Sequence, residues 1–289
     1  MNSVALDTLE NVFESGAWPS RERDWRAQAL AKLQHEGFPT KRQEAWKYTD
    51  LSDLDETPWT TATVSEDAVP DVALLPDTDR VVYINGIFDA ARSNLGELPA
   101  GVELNPEKLT APAQAPVDAM SGLNIALARH GLYLHVPAGV ALPRPLEIVN
   151  LTSDGAGGGM HHLRHQIVLE QGASATLLDQ SLSHEAAALS TQGWSIELAA
   201  DAALNFTRLQ DTAQTHKAVD RLHATVADGG ELVAKYQSQS TAHGYPLISL
   251  KASSARCRDA FRSTRGSGYC SPSTIPACLS VALSASQGL

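Results

Sequence analysis

His161, His162 and His165 lie close together and carry the right donor atoms for a transition metal, since neutral imidazole suits zinc, iron or copper. In an extended strand neighbouring side chains point to opposite faces, so His161 and His165 share a face and His162 takes the other. His161 and His165 are therefore the candidate ligand pair. No nearby Cys or carboxylate completes a site, and the competing reading is a set of solvent-facing or edge histidines.

Other patterns suggest reactions without completing them. Asp154-Gly-Ala-Gly-Gly-Gly159 follows a strand-like run, as a phosphate loop would. Met160 stands where GxGxxG needs its last glycine, however, and the following HHLRHQIVLE alternates like a strand instead of opening a helix whose N-terminus could hold phosphate. His184-Glu185 does not extend to HExxH, because position 188 is Ala, and no GxSxG elbow occurs. Glu147, Glu170, Asp179 and Glu197 lie on or beside strands and could meet as an acid pair or stay as scattered surface charges. No catalytic residue and no resident cofactor are expected.

The elements that must hold these residues fall into distinct stretches. Leu6, Leu9 and Phe13 recur at helical spacing. A second helix opens at Ser20, carries Glu22 and Asp24 in its first turn, places Trp25, Ala29, Leu30 and Leu33 on one face, and ends at Gly37. Thr40 and Gln43 form a capping-box pattern, with Glu44 also near the positive end, for a short helix bearing Trp46 and Tyr48, of which Trp46 is expected to pack on the core. Residues 57–76 read as an acidic, proline-broken linker. RVVYINGIFDA, residues 80–90, reads as a strand with an Asn85-Gly86 turn, and residues 99–116 match no pattern.

From Gly131 onward a repeat emerges. Val136-Pro-Ala-Gly139, Leu169-Glu-Gln-Gly172, Leu198-Ala-Ala-Asp201 and Val226-Ala-Asp-Gly229 share an apolar residue, two variable residues and a Gly or Asp; their first positions lie 33, 29 and 28 residues apart. Alternating apolar runs flank each unit. A turn residue suited to positive φ at a near-constant period is the signature of a β-solenoid, in which each coil buries its apolar side on the next. An antiparallel sandwich with evenly spaced hairpins is the competing architecture.

Charge divides the chain. The total of −11 disfavours a surface that tracks nucleic acid or an anionic membrane. No run approaches the roughly 20 apolar residues of a membrane span, and the acidic start MNSVALDTLENVFESG is unlike a signal peptide, so a cytoplasmic protein is expected. Residues 1–234 carry 16 Lys and Arg against 32 Asp and Glu, whereas residues 235–289 carry 6 against Asp259 alone, with 12 serines and all three cysteines, Cys257, Cys270 and Cys278. A flexible tail would show this, and so would a coding frame shifted near residue 235. The second reading also accounts for the repeat stopping in the unit that begins at Val226. The expected organisation is a helical region and linker over 1–76, an incomplete β-helix core over 77–234, and an atypical tail over 235–289.

The segment GFPTKRQEAWKYTDL, residues 37–51, resembles the N-terminal signature of the SufB/SufD family in its SufD-type form. NIALARHGLYLHVPAGVALPRPLEIVN (124–150) and HHLRHQIVLEQGASATLLDQ (161–180) also resemble that family's core. The resemblance implies a right-handed parallel β-helix with an N-terminal helical region and a C-terminal helical domain. It further implies a scaffold subunit that pairs with SufB, docks a SufC-type ATPase, and takes part in assembling iron–sulfur clusters on the complex. The C-terminal SufC-docking helices and the family's cluster-site histidine lie beyond the matching stretch, so no cluster ligand is carried over. Two rivals are a carbohydrate-active parallel β-helix enzyme, which needs two carboxylates within catalytic reach in one groove, and a metal-free interaction module.

Overall fold

A computed structural model describes residues 4–43, 46, 51–63, 75–113, 115–153, 159–183, 187–213, 215–238, 243–252, 256–263 and 279–281. Glu44, Tyr48, the glycine-rich run 155–158 and His184-Glu185 lie outside them. The described chain opens with helices α1 (Val4–Ser15) and α2 (Ser20–Glu36), a 3-10 turn (Ser52–Glu56) and the short strand β1 (Thr60–Thr61). Then come β2 (Asp79–Ile84), β3 (Ile87–Asn94), β4 (Glu103–Asn105), α3 (Ala119–Leu127), β5 (Tyr133–Val136) and β6 (Leu146–Thr152). Long strands follow: β7 (Gly159–Leu169), β8 (Ser174–Ser183), β9 (Leu189–Leu198), β10 (Ala203–Asp211), β11 (Lys217–Val226) and β12 (Glu231–Ser238). The last are β13 (His243–Ala252), β14 (Arg256–Ser263) and β15 (Leu279–Val281). No described helix is long and apolar enough to cross a membrane.

The long strands form a β-solenoid. Sheet A runs in the order β15-β13-β11-β9-β7-β5-β4, and sheet B in the order β14-β12-β10-β8-β6-β2-β3, so that from β5 onward odd-numbered strands lie in sheet A and even-numbered strands in sheet B. From β5 to β14 the chain alternates between the sheets, and each strand lies parallel to the one two steps on. Antiparallel strands meet the first coil: β4 pairs with β5, and β3 pairs with β2 through the Asn85-Gly86 turn, where both residues have positive φ (48° and 76°), the hairpin geometry Asn-Gly favours.

The expected turn residue recurs where the spacing placed it. Gly139, Gly172, Asp201 and Gly229 have φ of 71°, 66°, 58° and 72°, a region costly for most side chains and open to Gly and, less readily, Asp. These turns also stack. Gly139 donates its N–H to the Gln171 carbonyl at 2.8 Å, Gly172 to Ala200 at 2.9 Å, and Asp201 to Asp228 at 3.1 Å. Turn period thus fixes register, so that Leu169, Leu198 and Val226 align across β7, β9 and β11. Between the sheets lies one apolar core that includes Leu134, Ile148, Leu177, Ile196, Phe206 and Leu222.

Three sequence expectations change in detail. Strands continue past residue 235: β12 pairs with β14 and β11 with β13, so the ladder does not stop at the Val226 unit. Within the supposed linker, β1 pairs in parallel with Gly159 and Met160 of β7, and Trp59 is buried. Residues 99–116, which match no pattern, contribute β4 and then lead toward α3.

Helices cover the outer side of sheet A. Leu9, Phe13, Leu30, Leu33, Trp46 and Leu123 belong to a second core that reaches Met160, Leu189 and Val219 on the sheet. Asp118 and Ser121 cap α3 reciprocally, and Asn124 fastens the helix to the sheet by donating to the Leu163 carbonyl at 2.9 Å and to Thr191 Oγ1 at 2.8 Å. Arg26 of α2 is buried against Glu22 at 2.8 Å, and it donates to the Ala126 carbonyl at 2.9 Å, satisfying a carbonyl at the C-terminal end of α3.

Candidate functional site

Each inward-facing row of the solenoid is apolar near the tight turns and becomes polar farther along. On β7 it runs Leu169, Ile167, His165, Leu163, His161; on β9 it runs Leu198, Ile196, Trp194, Gln192, Ser190. Opposite, β8 runs Ala175, Leu177, Asp179, Ser181, Ser183 and β10 runs Leu204, Phe206, Arg208, Gln210. The polar half of the lumen is the candidate site.

His161, His162 and His165 are all buried, which overturns the reading of them as solvent-facing or edge residues. Helices on one side and the opposing sheet on the other cover the two faces of β7. As expected, His161 and His165 share a face, but four residues of strand separate them by about 13 Å, too far for one ion. His165 stacks on Trp194 with ring centroids 4.1 Å apart and accepts the Leu132 N–H through Nδ1 at 3.0 Å. His161 instead neighbours His216, centroids 6.1 Å apart; His161 Nε2 meets Thr152 Oγ1 at 3.0 Å and His216 Nε2 meets Ser190 Oγ at 2.8 Å. On the outer face His162 Nδ1 meets Thr191 Oγ1 at 2.8 Å. Among the described residues, no three His, Cys, Asp or Glu converge as a metal site.

Burial holds all four imidazoles neutral at ordinary pH. It is the main cause in each case, lowering His162 and His165 to about 3 and His216 to about 4, with Arg129 adding to the effect on His162 and Arg208 to that on His165. His161 falls well below the usual histidine value, through burial first and then through His216 and His162.

Arg208, buried, is the hub of the polar half. It pairs with Asp179 and donates to Asp220 Oδ2 at 2.9 Å, Gln192 Oε1 at 2.9 Å and Ser181 Oγ at 3.1 Å. Asn150 donates to Asp179 Oδ1 at 2.6 Å. The network therefore ties β6, β8, β9, β10 and β11 across the lumen. Burial raises the Asp220 carboxyl against the downward pull of Arg208.

The four candidate carboxylates do not assemble with one another. Glu147 pairs with Arg80 at 2.6 Å, Glu170 meets His135 Nε2 at 3.0 Å and the Ala138 N–H at 3.0 Å near the turn edge, Asp179 points inward to Arg208, and Glu197 is exposed on the outer side of sheet A. Sequence reasoning missed Arg208, Asp220 and His216. A signal existed, because the turn spacings of 29 and 28 residues give the register: Leu163 aligns with Gln192 and then with Asp220.

Comparison with known proteins matches residues 19–148 to the SufBD protein N-terminal region. The chain is 27% identical over 214 residues to the iron-sulfur cluster assembly protein SufD of Escherichia coli (strain K12), covering 72% of this chain and 50% of that protein. It is 28% identical over 189 residues to an iron-sulfur cluster assembly SufBD family protein of Synechocystis, covering 59% of this chain and 41% of that one. The matches thus span about half the length of these curated relatives or less. The matched region runs from α2 into β6, where the two-sheet solenoid continues from it, and over this stretch the chain is similar to the SufB/SufD family.

Proposed function

We propose that this chain is a non-catalytic scaffold subunit in iron–sulfur cluster assembly, associating with a SufB-type partner and a SufC-type ATPase, with the cluster as cargo of the complex. The observation that carries the reading is the match of residues 19–148 to the SufBD N-terminal region, supported by a relative named as an iron-sulfur cluster assembly protein. The geometry agrees with it. Four imidazoles in the stack are enclosed and committed to hydrogen bonds or stacking, and every cysteine lies at or beyond residue 257. What the stack up to residue 238 offers is a rigid surface, and cluster chemistry belongs to the assembled complex.

The test is co-expression of the tagged chain with the SufB-type and SufC-type proteins of the same genome, followed by affinity purification and assay of iron and acid-labile sulfide. Stoichiometric retention of the SufB-type protein, with iron and sulfide in the complex and none on the isolated chain, is the expected result. Failure to retain it above an unrelated bait would sink the proposal.

A further inference from the structure

On the outer side of sheet A, a cleft of about 250 Å³ runs beneath α3 and the chain leading into it. Its floor is set by strand register. Arg164 of β7, Gly193 of β9 and Arg221 of β11 stand in one row, and Gln166, Ser195 and His223 form the next. Adjacent strands lie about 4.8 Å apart, so the two arginine backbones are separated by about 10 Å, and the strand between them contributes no side chain. Gly193 is required there, because a Cβ would come within 2.6 Å of Asn124 Oδ1, the residue that fastens α3. Pro112, Pro116, Val117 and Met120 supply an apolar wall.

The two arginines are not equally compensated. Arg221 pairs with Asp118, the α3 cap. Arg164 donates to the Thr110 carbonyl at 2.5 Å and lies 5.6 Å from the Trp25 ring, yet among the described residues no carboxylate comes within ion-pair distance. Arg26, whose like charge acts on Arg164, is already engaged by Glu22. Burial and Arg26 together lower Arg164 to about 10, against the pull of Glu22, so it stays charged at neutral pH without a direct counter-ion. A guanidinium has five N–H donors in a planar fork suited to carboxylate or phosphate, and one of them is accounted for by Thr110.

We propose that this cleft binds a small organic anion, its carboxylate or phosphate held by Arg164 over Ser195, in the row beside the one that Asn124 covers, and its apolar body against Pro116, Val117 and Met120. The assignment is independent of partner assembly, since it concerns the chain alone.

The test is isothermal titration of the full chain with benzoate, phenyl phosphate and the neutral isostere benzamide. Saturable binding of benzoate or phenyl phosphate is expected, with benzamide weaker by at least about tenfold, the scale of one charge-assisted hydrogen bond. Which anion binds more tightly separates a carboxylate from a phosphate ligand. Arg164→Gln should weaken binding by about tenfold or more, while Arg92→Gln, on the exposed part of β3, should leave it unchanged. If Arg164→Gln does not fold, Ser195→Glu decides, because it sets a carboxylate in the adjoining row and should abolish anion binding with Arg164 intact. Equal affinity for benzamide, no saturable anion binding, or full binding by Ser195→Glu would overturn the assignment.

Discussion

The two halves of the solenoid lumen are built on the same strands and the same turns, yet they are held together by different physics. Near the tight turns, Leu169, Leu198 and Val226 stack in register against Leu204 and Leu232, and the half is dry and apolar. Farther along, Arg208, Asp179, Asp220, Gln192, His161 and His216 fill the same space. Apolar burial is non-directional and tolerates small shifts, whereas a buried polar group must find its partner or lose its hydration uncompensated. The apolar half therefore supplies stability, and the polar half makes one register preferable to its neighbours.

Acid is expected to have the largest effect, through His165 and His216 in the lumen and His162 on the covered outer face of β7. The histidines are neutral when buried, with values lowered to about 3 for His162 and His165 and about 4 for His216, whereas an unfolded imidazole titrates near 6.5. As pH falls below about 6.5 the unfolded chain takes up protons first, so stability is full above that pH and is lost toward the folded values. Between pH 7 and pH 5 each such residue removes about 2 kcal/mol, roughly 6 kcal/mol for these three. Urea unfolding midpoints across that range measure it, and a flat profile would mean the histidines are accessible in the native state.

Next in size is Arg208→Met, which strands Asp179 and Asp220 in the lumen and should cost about 3–5 kcal/mol in the same assay. Replacing both carboxylates by leucine in that background should recover most of the loss. The smallest effect belongs to the dry half: Ile196→Val removes one methylene from the stack and should cost about 1 kcal/mol. Should Arg208→Met prove no more harmful than Ile196→Val, the contrast between the halves fails.

How much of this was legible depends on range along the chain. Asn85-Gly86 and the turns at Gly139, Gly172 and Gly229 were readable because backbone conformation there is decided by the residue itself. The strand character of His161 to Glu170 and its two faces followed from alternation alone. Burial of both faces did not, since the helices that cover the outer one come from a remote stretch of sequence. Arg26 illustrates the gap: it reads as a polar position on an amphipathic helix, but its partner carbonyl is 100 residues away at Ala126.

By itself, then, the sequence determined coil period, turn conformation and the first two helices, because these rest on interactions within a few residues. Only the tertiary structure decided that Arg208 meets Asp179 and Asp220, that His161 neighbours His216 rather than His165, and that Arg164 and Arg221 flank Gly193. Those contacts join coils or opposite sheets. They exist because stacking brings residues from successive turns within about 5 Å of one another, a distance that no local propensity encodes.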